Sequence, residues 1–299
     1  MNLSVPFVKV HGCANDFVLV DLTAWNTARR NQVVATLDSK LVRNICDRRR
    51  GIGADGVLIL TNADGSTSAE ILNADGTAGG MCGNGLRCIA LYLLRIGAAQ
   101  PGQTLNVLMG SRPTSILIER DHPFRCALDL GRVEPGMKSA VAPLSDHDRS
   151  VLRDAVGDAC LDSAWAGNPH LVIFVNGHPE ERDLVDMASK VRETGVFKSG
   201  VNISLAFAAS PGRVVAMTDE RGVGPTQACA SGAAAIVATG RRAGLLGSTC
   251  TVAMPGGELA IELVAHPEAI DSAPIARVSG TAEIVFSGTL PLSAAGFEA

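Results

Sequence analysis

The sequence predicts an α+β chain made of two similar halves. Length is the first ground: 299 residues exceed the roughly 100–200 of a usual single domain, so two packed domains of about 150 each are expected. The second is patterning. Short alternating, β-branched segments recur between Gly, Pro, Asn and Asp clusters, which marks strands, and helices interrupt them. The third is internal repetition. ANDFVLVD, NADGTAGGMCGNGLRCIALYLLRIG and TLNVLMGSRPTSILIE in the first half are answered by GNPHLVIFV, ERGVGPTQACASGAAAIVATGRRAG and TCTVAMPGGELAIEL in the second. Asn73 lies nine residues before Cys82, and Glu220 lies nine before Cys229. A period of about 150 is far too long for a solenoid. It reads as a duplicated domain that brings two equivalent turns to face one cleft.

In chain order, the expected strands of the first half are Phe7–Val10, Phe17–Asp21, Gly56–Leu60, Leu105–Leu108, Ser115–Glu119 and Arg125–Leu130. Those of the second half are Leu171–Val175, Asn202–Ala206, Arg213–Thr218, Cys250–Met254, Glu258–Leu263 and Ala282–Phe286. Two helices, about Gly85–Ile96 and Gly232–Ala243, each open immediately after a Cys-containing turn of small residues. Further helices are expected over Asp38–Arg49, Asp146–Val156 and Glu180–Thr194. The halves are placed at 1–123 and 124–285, with 286–299 as a closing segment.

Composition narrows the function classes. Hydrophobic residues make up 46% and charged residues 19%, which fits a globular chain rather than disorder or a coiled coil. The net charge of -4, with no sustained basic run, gives no electrostatic footprint for nucleic acid, and Arg48–Arg50 reads as a solvated surface cluster. No stretch approaches the roughly 18 apolar residues that span a bilayer, and MNLSVPFVKV lacks the order of a signal peptide. A cytoplasmic enzyme without a membrane partner is therefore expected. Eight scattered cysteines, Cys13, Cys46, Cys82, Cys88, Cys126, Cys160, Cys229 and Cys250, read mostly as reduced thiols. There is no C-x-x-C or HExxH, and the Cys82–Cys88 spacing is wrong for zinc, so no metal is expected. The GADG at 53–56 and the glycines of 79–85 lack the patterns of phosphate loops.

The chemistry concentrates in MCGNG at 81–85 and ACASG at 228–232. In each, a Cys precedes small residues that lead into a helix. First-turn amides of a helix have no internal partners and sit at the positive end of its dipole, so they can bind a carboxylate or draw a thiol's pKa down from about 8.5. Two such turns facing each other could grip one carboxylate, with the neighbouring carbon held between two sulfurs. That geometry suits a two-base proton transfer, in which one group takes a proton from one face and another returns a proton to the opposite face. Without an imine cofactor, the barrier must fall through charge stabilisation in a dry, preorganised site. A single Cys before a Gly turn is more often a small buried residue; two at matching places in a duplicated chain favour function. Cys88, six residues on from Cys82, is expected to face the core.

At these residues the sequence resembles the diaminopimelate epimerase family over most of its length. KVHGCANDFVLVD at 9–21, DRRRGIGADGVL at 47–58, NADGTAGGMCGNGLRC at 73–88, GNPH at 167–170, VN at 201–202 and ERGVGPTQACASGAA at 220–234 carry the likeness in order. It implies two similar β/α domains, each wrapping strands around a central helix, with the active site in the cleft between them. It also implies that the last strand, near Phe286–Leu292, returns to the first domain. By motif, Cys82 and Cys229 take the roles of the two bases of a cofactor-independent epimerisation of LL- to meso-diaminopimelate, in lysine and cell-wall precursor synthesis. Gly83, Asn84, Ala230 and Ser231 would hold the reacting carboxylate through their amides, and Asn15 the ammonium. At the far end Asn73, Asn168, Asn202 and Arg221 match the distal carboxylate's partners and Glu220 that of the distal ammonium; Arg and amides suit a carboxylate, and Glu an ammonium. His170 matches a position beside the site, or simply closes a turn. Arg87, Asp75 and Asp16 read as local turn and helix partners. A homodimer is implied as well.

Departures from the family pattern bear on the substrate: Ala230-Ser231 where Gly-Thr or Gly-Ser is usual, Pro225 in place of an acidic residue, Gly56 where some relatives carry Gln, and Ala14 in place of Gly. A racemase of another amino acid, such as histidine or more distantly proline, is the nearest alternative. A cysteine hydrolase or transferase, with His170 or His11 as base, would need only one of the thiols. Oxidation joining Cys82 to Cys229 reads as a liability of such a site, and a non-enzymatic binding module would tolerate the loss of either.

Overall fold

In a computed structural model of the chain, which describes residues 3–63, 66–110, 112–136, 144–157, 159–265 and 273–292, two units separate: Met1–Leu128 with Thr281–Ala299, and Asp129–Gly280. The first carries β1 (Leu3–Gly12), β2 (Asn15–Asp21), α1 (Thr27–Thr36), α2 (Ser39–Cys46), β3 (Gly56–Ala63), β4 (Ser66–Asn73), α3 (Gly83–Arg95), β5 (Thr104–Met109) and β6 (Arg112–Arg120). The boundary falls inside β7 (Arg125–Arg132). The second unit carries β8 (Glu134–Pro135), α4 (Asp146–Val156), β9 (Cys160–Trp165), β10 (Pro169–Phe174), α5 (Glu181–Glu193), β11 (Asn202–Ser210), β12 (Arg213–Glu220), β13 (Gly224–Thr226), α6 (Ala230–Arg242), β14 (Thr249–Met254), β15 (Gly257–Val264) and β16 (Ile275–Gly280). Strand β17 (Glu283–Leu292) belongs to the first unit and pairs antiparallel with β1.

The repetition in the sequence is repeated in the ladders. In the first unit β1 and β2 pair antiparallel, β2 and β3 parallel, β3 and β4 antiparallel, β4 and β5 parallel, and β5 and β6 antiparallel. In the second, β9 and β10 pair antiparallel, β10 and β11 parallel, β11 and β12 antiparallel, β12 and β14 parallel, and β14 and β15 antiparallel. Parallel neighbours need a crossover; α3 makes one between β4 and β5, and α6 the matching one between β12 and β14. Both helices are mostly apolar and buried over most of their length, Gly83 to Leu91 in α3 and Gly232 to Gly240 in α6, as a helix largely enclosed by strands must be. Alanines at 230, 233, 234, 235 and 238 keep α6 narrow. Against the outer faces lie amphipathic helices, α1 and α2 in the first unit through Val33, Leu41, Val42 and Ile45, and α4 and α5 in the second through Leu152, Leu184, Ala188 and Val191.

The expected strands and helices all have counterparts, but several elements carried no signal. Strand β4 buries only Ala69 and Ile71, and α1 only Val33, so neither shows a strong period. The helix expected over Asp38–Arg49 stops at Cys46. Asp47 turns extended there and its Oδ1 accepts from the amides of Arg49 and Arg50 at 2.8 Å, a local bond that competes with helix continuation.

Candidate active site

Both cysteines cap their helices, in nearly superimposable conformations. Cys82 is the N-cap of α3 with φ -128° and ψ 105°, and Cys229 that of α6 with φ -127° and ψ 107°. In each, the sulfur accepts from the third helical amide, Gly85 N–H or Gly232 N–H, at 3.4 Å. Each Cys amide in turn donates to a methionine sulfur at the end of the following strand, Met109 at 3.4 Å and Met254 at 3.5 Å. Helix geometry directs the first-turn N–H groups, those of Gly83 and Asn84 and of Ala230 and Ser231, out of the N-terminal ends.

In the first unit, the strand ends beside α3 carry the other predicted residues. The ladders align Phe17, Gly56 and Asn73 across β2, β3 and β4. Asn73 donates to Thr77 Oγ1 at 3.0 Å. Asn15 opens β2, and its Oδ1 is buried with no partner among the described residues, an acceptor suited to an ammonium. Between β1 and β2, Cys13 (φ 52°) and Ala14 (φ 59°) form a two-residue turn, closed by the pairing of Gly12 with Asn15. Gly12 leaves little room for a side chain: a Cβ there would lie 3.2 Å from the Asn84 carbonyl and 3.3 Å from Arg87 Nη2, so these neighbours would have to give way by a few tenths of an ångström. The turn is thereby packed against the start of α3.

Of the three charged residues read as local, Asp75 is wholly so, and Arg87 is so in part, since it donates to Asn84 one helical turn back. Asp75 Oδ1 accepts from Thr77 N–H and Oγ1 at 2.8 and 2.6 Å. Asp16 instead pairs with the buried Lys9 and with Arg48, which also bridges to Asp55 at 2.7 Å. Burial opposes its charge, but the hydrogen bonds from Arg48 and Lys9 hold its carboxyl well below the usual carboxylate range. This network ties the loop before β3 to the start of β2, next to Asn15. Arg87 reaches across the first unit to Thr281 O at 3.1 Å. Spacing along the chain gave no sign of either long-range link.

In the second unit the equivalent strand ends carry His170, Asn202 and Glu220. His170 pairs with Asn202 across β10 and β11, and Ile203 with Asp219 across β11 and β12. Asn202 Oδ1 accepts from Arg221 N–H at 2.8 Å, and the Arg221 guanidinium donates to Ser199 O at 2.7 Å. A Cβ on Gly200, whose φ is +75°, would lie 2.6 Å from Arg221 Cδ, so the arginine stem lies across a glycine that must stay bare. Exposed Asn168 sits in the bend before β10, where its carbonyl accepts from Ala166 N–H at 3.0 Å. Glu220 accepts from Thr226 Oγ1 at 2.8 Å and from the Cys229 thiol. Cys229 also lies 3.4 Å from Ser231 Oγ, which is 3.1 Å from His170 Nε2.

The helix start was expected to draw the thiols' pKa values down, yet burial and the neighbouring Glu220 carboxylate push Cys229 up to about 12, outweighing the hydrogen bonds from Ser231 and Gly232. Burial likewise pushes Glu220 up and lowers His170 to about 3. At neutral pH Cys229 is a thiol and His170 a neutral imidazole. Cys88 is fully buried, as its place in α3 predicts, while Cys160 is exposed; all eight cysteines are free thiols. Among the described residues no cluster of three His, Cys, Asp or Glu could hold a metal ion, and no helix is long and apolar enough to cross a membrane.

Comparison with known proteins agrees with this architecture. The profile of the diaminopimelate epimerase family matches residues 7–134 and 163–277. A diaminopimelate epimerase of Desulforudis audaxviator is 33% identical over 95% of this chain and 98% of its own. An O-ureido-serine racemase of Streptomyces lavendulae is 32% identical over 96% and 95%. Among solved structures, a hydroxyproline epimerase of Agrobacterium vitis superposes with a TM-score of 0.67 at 15% identity, covering 97% of this chain and 92% of that one, a likeness of fold. The chain is therefore an isomerase that belongs to the diaminopimelate epimerase family.

Proposed function

We propose that this chain epimerises LL-diaminopimelate to meso-diaminopimelate without a cofactor, Cys82 and Cys229 acting as the two bases. The observation that carries the reading is the matched pair of cysteine caps, the same conformation and the same two contacts at two helix starts. An amino-acid α-proton is removed only where the resulting charge is stabilised, and helix N-termini provide that field. In the free protein Cys229, protonated by burial beside Glu220, is the proton donor of the pair, and Cys82 is then the member that takes a proton from the substrate. Asn15 holds the reacting ammonium, the first-turn amides of both helices its carboxylate, and Arg221, Asn73, Asn168 and Asn202 the distal carboxylate, while Glu220, which accepts from the Cys229 thiol, serves that thiol at the reacting end.

The O-ureido-serine racemase at 32% identity supports a second reading, racemisation of a different amino acid by the same thiols. Arg221 and the asparagines, which suit a second amino-acid head, favour diaminopimelate. The test is incubation with LL-diaminopimelate in D₂O, with α-proton loss followed by NMR and stereochemistry by chiral chromatography, in wild type, Cys82→Ala and Cys229→Ala. Deuterium at the α-carbon and a meso/LL mixture, lost in both variants, is the expected result. Exchange with another amino acid but not this one would retain the thiol pair and overturn the substrate, and exchange that survives removal of either thiol would overturn the pair.

A further inference from the structure

Arg87 is wholly buried on α3, and among the described residues no carboxylate pairs with it. Its Nε donates to Thr281 O at 3.1 Å, and Nη2 to the side-chain oxygen of Asn84 at 2.5 Å and to Cys13 Sγ at 3.5 Å, while Nη1 has no partner. Taking a guanidinium out of water without an anion is unfavourable, and carbonyl, amide and thiol partners offset that only in part. The architecture does not require it. The equivalent place on α6, five residues after Cys229, is Ala234, and that helix packs against the strands of its own unit without a charge there. The cation therefore accompanies one thiol of the pair, whereas a carboxylate, Glu220, touches the other.

We propose that Arg87 is the standing counter-charge of the α3 N-terminus: its guanidinium orients Asn84 and stabilises negative charge at Cys82. The inference deepens the epimerase reading and rests on it in taking Cys82 as a working base. Arg87 touches neither the Cys82 nor the Cys229 sulfur, nor the substrate. It is a positioning residue, acting through the side chain of Asn84, whose amide lies in the first turn, and through the field of a charge that no anion among the described residues cancels. The low polarisability of the interior strengthens that field. The same residue explains the bare backbone of Gly12, which leaves the guanidinium room between the β1–β2 turn and the helix.

The test uses full-length Arg87→Lys, Arg87→Gln and Arg87→Met, with fold checked by circular dichroism and no substrate present. Iodoacetamide alkylation of each cysteine is followed against pH by peptide mass spectrometry. The midpoint for Cys82 should rise by about one unit in the Gln and Met variants, the lower end of what a neighbouring opposite charge contributes. It should stay near wild type in the Lys variant, and the Cys229 midpoint should not move. Folded neutral variants with an unmoved Cys82 midpoint would overturn the proposal, as would a Lys variant that shifts as far as Gln. A chain that folds only with a cation at position 87 would also overturn it, because the charge would then serve stability alone. Since the readout needs no turnover, a failed α-proton exchange assay would leave it interpretable.

Discussion

Replacing His170 with Gln should remove most of one component of this protein's acid sensitivity. His170 has 0% exposure and its pKa falls from 6.5 in the unfolded chain to about 3 through desolvation. A depressed histidine pKa means that, as pH falls below about 6.5, the unfolded chain takes up a proton that the folded one refuses. The stability contribution is present above the unfolded value and is lost progressively toward about 3. Each pH unit in that window costs about 1.4 kcal/mol, so moving from about pH 7 to about pH 5 removes roughly 2 kcal/mol. Urea unfolding of wild type and His170→Gln at both pH values isolates the effect, since every other titrating group is common to both. The variant should be less stable at neutral pH, having lost the fit against Ser231, but its loss between the two pH values should be about 2 kcal/mol smaller. Equal losses in the two proteins would refute the reasoning and would mean that His170 reaches water or an anion when protonated.

Three further outcomes follow from the geometry. Ala14→Gly should stabilise by about 0.5 kcal/mol, because relief of left-handed strain at φ 59°, about 1–2 kcal/mol, exceeds the added unfolded-state entropy; Ala14→Val should destabilise, and thermal unfolding reads both. Gly200→Ala should displace the Arg221 stem, since its Cβ would lie 2.6 Å from Cδ. With diaminopimelate this should raise KM about tenfold, near 1.4 kcal/mol for one weakened charge-assisted bond, with kcat little changed in steady-state assays. Asp16→Ala leaves Lys9, 6% exposed, with only the Gly53 carbonyl and Arg48 without its partner there. A loss of about 3–5 kcal/mol in urea unfolding is expected for a buried pair broken on one side.

The residues that sequence reading could find are those whose signal is local. Each cysteine cap announces itself within five residues, a thiol before small residues before an apolar helix, and duplication makes the signal audible twice. The same holds for the Asp75 turn, whose partners lie two residues away, and for the helix Asp146–Val156, bounded by its own capping box at Ser145. Weak periodicity hid α1 and β4, because each buries only one or two side chains. The left-handed turn at Cys13 and Ala14 went unread since neither residue type favours it.

Sequence by itself determined the duplicated α+β plan and the two cysteine caps at the helix starts, because hydrophobic period, capping chemistry and repetition are properties of neighbours along the chain. Tertiary structure decided the charges. That Asp16 joins Lys9 and Arg48, that Arg87 is buried with no anion among the described residues, that Glu220 touches Cys229 and that burial makes Cys229 a resting thiol depend on which distant strands and helices exclude water together. Desolvation is a property of the packed interior, and no local pattern of residues encodes it.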